Sequence, residues 1–319
     1  MNPRISLLAS SILLFGALYS LALSVRAEDL LEIYKQAAQN DAQISGARAQ
    51  MQQTLEASPQ AHARFLPSVN FGANVTRSKI DTNPSTGNSK DSFPSKGYSL
   101  TLTQPIYHAD AFAQSNQADA LVSQAEAQFK AEELSLTLRV AERYFEVLAA
   151  QDNLTFVKAE HEAIGKQLEQ TKQRFNVGLI AITDVHDAQA RFDLSTAGVI
   201  GADNRLANAW ESLREVTGQS YQALATLIAD APMVAPTPAD IELWAQSALK
   251  QNPAVQAARF AMESFEAEVS RQKGFRYPTL DAVGSYSNSD SSDAPSGVER
   301  KDTAIGLHLN WSLYQGGAT

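Results

Sequence analysis

The residues that most often perform chemistry are few and scattered in this sequence. The chain has no cysteine, which excludes disulfide frameworks, thiolate metal sites and cysteine nucleophiles. Five histidines lie far apart, at positions 62, 108, 161, 186 and 308. His161-Glu162 does not begin a zinc-protease motif, because Gly165 stands where the second histidine is needed. With no serine-nucleophile elbow and no phosphate-binding glycine loop, the sequence predicts no enzyme and no cofactor or metal.

One short segment interrupts an otherwise long helical pattern. Residues 174–192 read RFNVGLIAITDVHDAQARF, and the pattern stops at residues 177–179 and resumes at Thr183-Asp184. Glycine suits the left-handed conformation that ends many helices, and Thr or Asp after a turn suits a helix N-cap. The segment is therefore predicted to connect the two helices of an α-helical hairpin.

The helices on either side of this connection are predicted to be long and to pack as a coiled coil. Residues 109–175 contain no proline and are helix-compatible throughout, which gives a length of roughly 100 Å at ~1.5 Å per residue. Their apolar residues recur in steps of three and four, in two stripes separated by a slip of phase: Leu134, Leu138, Ala141, Phe145, Leu148, then Val157, His161, Ile164, Leu168, Thr171, Phe175. The return helix places large residues at every seventh position: Val185, Phe192, Val199, Leu206, Leu213. A parallel stripe is small: Ala181, Ala188, Ser195, Ala202, Ala209. Such stripes are typical of a coiled-coil seam.

Four shorter segments change to a period of two, which predicts amphipathic β-strands. They are residues 68–77, 97–107, 279–287 and 303–314. The segments that join each pair, 77–96 and 287–303, are rich in Ser, Asn, Asp and Gly and are predicted to be loops. The alternation fits an ordinary antiparallel sheet and equally a membrane barrel with one lipid-facing side. The very long helices favour the barrel.

An internal duplication organises the chain. Residues 29–51 align without a gap with residues 240–262, and 98–107 align with 305–314. We predict a first structural repeat at 28–239, which contains a helix, a strand pair and the helical hairpin at 109–228. The second repeat, 240–319, has the helix at 241–275 and the second strand pair. It stops before any second hairpin, so we expect a C-terminally truncated precursor.

The N-terminus and the charge bear on the compartment. Residues 1–27 combine a positive start, an apolar run and a small-residue cleavage site, which predicts a secretory signal peptide. A transmembrane anchor is the alternative, because the apolar run is nearly long enough to span a bilayer. The formal net charge of -9 argues against a nucleic-acid partner.

With these features, the sequence resembles the TolC family of trimeric outer-membrane efflux and secretion channels. RFNVGLIAITDV is similar, almost letter for letter, to the family's first hairpin-tip motif. The resemblance covers the chain after the signal peptide and includes the duplication. It implies an α+β membrane protein, in which coiled-coil hairpins form a periplasmic tunnel. Four strands from each of three chains would form a 12-stranded β-barrel, and residues 219–240 would contribute to an equatorial belt.

The resemblance also implies a function. The family is a passive exit duct of tripartite efflux and type I secretion systems, located in the outer membrane of Gram-negative bacteria. Its partners are two further copies of the same chain, a periplasmic adaptor protein, an inner-membrane transporter and outer-membrane lipid. Whether the conducted substrates are drugs and other small molecules or exported proteins stays open, because the duct does not choose the substrate.

Specific residues match positions of known role in the family. Val177, Gly178 and Leu179 match the tip contacted by adaptors, although Gly178 alone is also explained by the turn. Gln167, Thr183 and Asp184 match positions that hold the periplasmic entrance shut, and helix N-capping is the alternative for the last two.

Aromatic residues at the predicted strand ends are a third group. Tyr107, Trp311 and Tyr314 are candidates for an interfacial aromatic girdle, and packing against the equatorial region is the alternative. Two other readings of the whole chain are a periplasmic coiled-coil adaptor without pore activity and a non-functional remnant. Duplicated amphipathic strand pairs speak against the adaptor.

Overall fold

The computed structural model describes residues 28–82, 89–228, 234–291 and 299–317. Along the chain its helices and strands are α1 (Leu30–Asn40), α2 (Ala42–Leu55), α3 (Ala57–Ala63), β1 (Ser68–Thr82), β2 (Ser89–Tyr107), α4 (Ala109–Asn176), α5 (Ile182–Thr217), α6 (Ile241–Gln251), α7 (Pro253–Gly274), β3 (Thr279–Asp290) and β4 (Glu299–Asn310). The predicted signal peptide, residues 1–27, lies outside the described part. Among the described helices, none combines the length and the apolar character that a membrane crossing requires.

The described residues divide into two compact units. One contains residues 28–41 and 136–228, and the other contains the described parts of 42–135 and 234–319. Helix α4 is a single helix of 68 residues that contributes to both units. Long helices together with one four-stranded sheet confirm the predicted fold class.

Each predicted helix before a strand pair is interrupted at an equivalent position of the duplication, and the first is interrupted again between α2 and α3. Helix α1 ends before Asp41, whose backbone is extended and whose buried carboxylate accepts a hydrogen bond from Arg139 at 3.0 Å. Helix α6 ends before Asn252, because Pro253 follows and disfavours a helical conformation in the residue before it. Asn252 Oδ1 then caps α7 by accepting the Ala254 N–H at 2.8 Å. The single predicted helix at 241–275 is therefore two helices.

All four strands are antiparallel and pair in the order β1-β2-β3-β4. The register places most of the large apolar residues of the strands on one face, as in the row Phe71, Leu100 and Tyr286. The opposite face carries mainly hydroxyl and amide side chains, as in the row Asn70, Thr101 and Ser285. The apolar face is left open to solvent within the chain, and the side chain of Ile305 is 91% exposed.

The strands differ in length from the predicted ones. β1 continues to Thr82 and β2 begins at Ser89, so most of the predicted loop at 77–96 is paired strand. The polar composition misled the prediction, because ladder hydrogen bonds join backbone groups whatever the side chains are. β4 ends at Asn310 rather than at 314. Beyond it, Trp311 leaves the ladder and its indole N–H donates to the Arg276 carbonyl at 3.1 Å.

The seam prediction holds for α5 and fails for the first part of α4. In α5 the stripe from Val185 to Leu213 is half-buried or buried, in a helix that is otherwise mostly exposed. In α4 the predicted stripe is exposed at Leu134, Leu138 and Phe145 and buried at Leu148. The other buried residues of this part of α4 are Leu136, Val140, Tyr144 and Val147, which the stripe did not include. The buried side is the side from which Arg139 and Tyr144 bond to Asp41 and to the carbonyl of Ala225. Contacts with other segments of the same chain therefore determine which face of α4 is buried, and periodicity alone does not.

A compact polar junction joins strands to helices in the unit that contains the sheet. Asp110, in the first turn of α4, is buried and accepts a hydrogen bond from Arg64 at 2.8 Å. His108, between β2 and α4, pairs through Nε2 with Asp281 of β3 at 2.9 Å. The end of α7 packs so closely here that a Cβ on Gly274 would lie 2.7 Å from the backbone N and Cα of Asp110.

This close approach predicts opposite effects for the same substitution at two helical glycines. Gly274→Ala should lower the stability by about 1–3 kcal/mol, because the new methyl group meets rigid backbone. Gly46→Ala, inside α2 where a Cβ meets nothing within 4 Å, should raise it by about 0.5–1 kcal/mol. Thermal unfolding of the two purified variants checks this. Equal midpoints would show that the contact at Asp110 relaxes without cost.

Candidate functional site

The connection between α4 and α5 is a tightly hydrogen-bonded helix end. The Leu179 N–H donates to the Arg174 carbonyl at 2.9 Å, and the Gly178 N–H donates to the Phe175 carbonyl at 2.8 Å. This pair of bonds is the Schellman motif, which requires a left-handed residue at its glycine position. Gly178 has φ +77 and fills that requirement. The structure thus explains Gly178 by backbone geometry alone.

The two residues beside Gly178 present apolar side chains to solvent. Val177 is 70% exposed and Leu179 is 74% exposed. Large apolar side chains at such exposure do not stabilise the chain that carries them, and neighbouring apolar groups of this kind typically mark interaction surfaces. The predicted contact residues therefore lie together at the tip of the hairpin, which we define as residues 177–182.

At the start of α5 the carboxylate of Asp184 reaches back to the preceding turn. Its Oδ2 accepts the Ala181 N–H at 3.3 Å, and the Asp184 N–H donates to the Ala181 carbonyl at 3.2 Å. Ala181 is the N-cap residue and offers no side-chain acceptor. The capping acceptor is thus the side chain of Asp184 in the first turn of α5, which bonds back to the N-cap N–H as the N3 residue of a capping box does. Thr183 is exposed and does not cap, so N-capping explains only one of the two predicted gate residues.

Gln167, the third predicted gate residue, lies apart from the other two in the hydrogen-bond network. It is exposed on α4 and lines a cavity of about 540 Å³ between α4 and α5, next to Leu168. Among the described residues, no side-chain hydrogen bond joins Gln167 to Thr183 or Asp184. Within one chain, the structure does not assemble these three residues into a network.

The seam between α4 and α5 contains a polar and aromatic contact that the sequence did not reveal. His161 Nδ1 lies 2.8 Å from Ser195 Oγ, and its ring stacks on Phe192 with centroids 4.6 Å apart. Gly165 makes room for the Phe192 ring, since a Cβ on residue 165 would lie 3.3 Å from Phe192 Cε2. The sequence offered one signal for this contact, which was the glycine at position 165 of α4, close to the seam residue His161.

The predicted girdle residues lie at one end of the sheet. Tyr107 is the last residue of β2 and is paired with Leu280. Trp311 follows directly after the end of β4, which is the same end of the sheet. Tyr314 lies beyond the strand, and both Trp311 and Tyr314 are exposed. Two of the three are thus adjacent to the ladder rather than inside it.

The first described part of the predicted belt segment, residues 219–228, is held in the unit that contains α5, whereas residues 234–240 belong to the other unit. Leu224 is buried and forms a parallel bridge with Glu28. The hydroxyl of Tyr144 donates to the Ala225 carbonyl at 2.5 Å. Burial raises the pKa of Tyr144, so the phenol stays protonated and can act as a donor. Residues 229–233 of the predicted belt lie outside the described part.

Comparison with known proteins agrees with this architecture. Residues 33–219 and 244–319 match the family described as Outer membrane efflux protein. The chain is 39% identical over 308 residues to Outer membrane protein TolC of Vibrio cholerae serotype O1, covering 95% of this chain and 69% of the relative. It is 28% identical to the Alkaline protease secretion protein AprF of Pseudomonas aeruginosa, covering 96% of this chain and 65% of the relative.

A solved structure shows the same fold. The Campylobacter jejuni CmeC outer membrane channel superimposes with a TM-score of 0.74 at 17% identity, over 91% of this chain and 62% of that chain. The chain therefore spans about two thirds of the length of the relatives that it matches. The family description names outer membrane efflux, and the chain is not an enzyme, as the sequence predicted. The chain belongs to the outer membrane efflux protein family, and its location is the cell outer membrane, with a helical part in the periplasm.

Proposed function

We propose that the protein is the passive exit duct of a tripartite efflux or type I secretion system, which conducts substrates from an inner-membrane transporter across the periplasm and the outer membrane. The observation that carries this proposal is the four-stranded sheet, one face of which is mainly apolar and is not covered by the described chain. Strands of this kind are stable when the apolar face meets lipid and the polar face meets a water-filled lumen.

Four strands are too few for one chain to enclose a lumen. Bacterial barrels made by single chains have at least eight strands, so several copies must share one barrel. We propose a homotrimer with twelve strands. The exposed stripe of α4 that contains Leu134, Leu138 and Phe145 supports this assembly, because it is a further apolar surface without a partner in the chain.

The tip supplies the contact with a periplasmic adaptor in this proposal. Val177 and Leu179 are held outward by the Schellman end of α4, so an adaptor would bury them without distorting either helix. Asp184, Thr183 and Gln167 are proposed to close the periplasmic entrance through hydrogen bonds and ion pairs to neighbouring hairpins. The side chains of Thr183 and Gln167 are exposed and form no side-chain hydrogen bond within the described part of the chain, so they are free to make such contacts.

Both classes of substrate are supported by relatives. The family description names efflux, and AprF is named for the secretion of an alkaline protease. We propose that the duct itself accepts either class, because selection belongs to the transporter. A periplasmic adaptor without pore activity is disfavoured by the family match, which covers both strand pairs.

Cell fractionation tests the proposed duct. The full-length protein should be recovered in the outer membrane as a trimer that runs at a larger apparent size before heating than after. Its deletion should sensitise the cells to toxic compounds or abolish protein export. Recovery of the folded protein in the soluble periplasmic fraction would contradict the duct.

A leucine pair tests the adaptor contact. Leu179→Ser should weaken adaptor binding about tenfold to a hundredfold, because burying a leucine contributes about 1.5–3 kcal/mol. Leu194→Ser is the matched control, since Leu194 on α5 is 73% exposed but lies outside the tip. Its adaptor affinity should change less than twofold. Calorimetric titration with the purified adaptor measures both, and equal losses would argue against a contact confined to the tip.

Two substitutions of Asp184 separate the gate from the cap. Asp184→Asn keeps an oxygen that can accept the Ala181 N–H but removes the charge, whereas Asp184→Ala removes both. If the carboxylate holds the entrance shut, both variants should increase the resting conductance in planar bilayers. An Asn variant that conducts like the wild type beside a leaky Ala variant would show that only the cap is needed.

A further inference from the structure

Three cations lie on the apolar face of the sheet, beyond its last large apolar residues. Arg77 and Lys79 follow Val75 on β1 at the same alternation, and Lys96 precedes Tyr98 on β2. The register pairs Val75 with Lys96, so all three side chains leave the sheet on the face that carries Phe71 and Leu100. We define Arg77, Lys79 and Lys96 as the outer cation cluster.

Two members of the cluster, Arg77 and Lys96, are close enough to bind one ligand together, and Lys79 follows Arg77 on the same face of β1. Lys96 is directly opposite Val75, so Arg77 is its diagonal neighbour across the two strands, and such neighbours are typically ~7–8 Å apart. The Arg77 Nε donates to Ser92 Oγ at 3.2 Å, which leaves its other guanidinium N–H groups available. All three cations are exposed, and none forms an ion pair with another described residue.

The surface beside the cluster is shaped to receive an amphiphile. A cavity of about 450 Å³ is lined by mainly apolar residues of β1 together with Asn74, by Lys96 and Tyr98 of β2, and by Asn288 and Asp290 of β3. Tyr98 and Tyr286 form an aromatic pair with ring centroids 6.1 Å apart. Aromatic side chains of this kind favour the level where lipid headgroups meet acyl chains.

Among the described side chains, the remaining charges on this face at this end of the sheet have partners or are outnumbered. Lys301 is paired with Glu299 at 3.0 Å, so neither adds net charge. Asp290 lies opposite Lys96 in the register and makes contacts of its own. Against the three cations of the cluster it leaves an excess of positive charge, and a positive surface at the edge of an apolar band matches an amphiphile with a negative headgroup.

We propose that Arg77, Lys79 and Lys96 bind the phosphate groups of anionic lipid in the outer leaflet of the outer membrane. The acyl chains lie on the apolar face below, and the Tyr98–Tyr286 pair lies at the boundary. This inference rests on the proposed function, which makes the apolar face lipid-facing. The cluster is at the end of the strands far from α3, α4 and α7, so a periplasmic helical part puts it in the outer leaflet.

Native mass spectrometry of the full-length protein, purified from outer membranes, tests the proposal. The probe is diphosphorylated lipid A, and a dephosphorylated analogue is the comparison lipid. A cation near an anionic lipid contributes about fivefold in affinity, so Arg77→Gln with Lys96→Gln should weaken lipid A binding about 25-fold. The dephosphorylated analogue should bind the wild type about as weakly as lipid A binds this double variant.

The matched control removes the same two residue types elsewhere. Arg300 lies at the same end of the sheet but on its polar face, and Lys250 lies on α6. Arg300→Gln with Lys250→Gln should keep lipid A affinity within twofold of the wild type. The single variants Lys96→Gln and Lys79→Gln, each expected to lose about fivefold, replace the double variant if it fails to assemble.

Several outcomes would overturn the proposal. Unchanged binding by the double variant would show that the outer cation cluster does not bind the lipid phosphates. Equal binding of both lipids would show that phosphate is not recognised, and full displacement by millimolar inorganic phosphate would assign the cluster to a soluble anion. These results concern a protein that has inserted as a trimer. Failure to insert would instead contradict the proposed duct.

Discussion

The backbone ladder of the four strands is the interaction on which the rest of the structure depends. Its hydrogen bonds hold a sheet that has no core on its apolar side, where side chains such as Phe71 and Ile305 are open to solvent. In water this arrangement forfeits the burial that normally stabilises a sheet, and β1 and β4 each expose an unpaired edge. Lipid on one face and further strands at both edges satisfy these two demands together. The proposed barrel thus follows from the uncovered apolar face and the two unpaired edges of the sheet.

A sheet without a core on one side needs another interaction to fix the positions at which its strands connect to the helices. The polar junction supplies it through polar contacts around the buried carboxylate of Asp110, which tolerates few alternative arrangements because an unpaired charge in such a site is costly. Asp110 is held by Arg64, and His108 joins β2 to β3 through Asp281. Gly274 adds a steric limit at the same place. We infer that the junction sets the direction of the strands, whereas apolar burial sets the packing of the helices.

The sequence predicted the parts whose physical cause is local. Gly178 and the seam of α5 were recognisable because a left-handed helix end and a seven-residue repeat each depend on few neighbours. The sequence predicted the wrong buried face for the first part of α4. This helix carries apolar residues on two faces, and only contacts with residues distant in sequence decide which face is buried. The length of β1 and β2 was underestimated for a related reason, since backbone pairing leaves no apolar signature. The roles of Val177, Leu179 and Asp184 stay predictions, because the residues that would face them are not in the described chain.

The tip and the polar junction hold the chain in different ways, because the tip has no buried side chain and the junction has the buried carboxylate of Asp110. The tip is closed by backbone bonds at Arg174 and Phe175 and by one carboxylate cap at Asp184, with no buried side chain beside them. Segments with few buried contacts open at low free energy, so the helix ends at the tip can move without disturbing the seam at His161 and Phe192. A duct that is shut at rest and opened by a partner needs its mobile part where that partner binds. The exposed apolar residues and the only carboxylate cap of the hairpin lie together there, which lets binding energy act directly on the residues proposed to close the entrance.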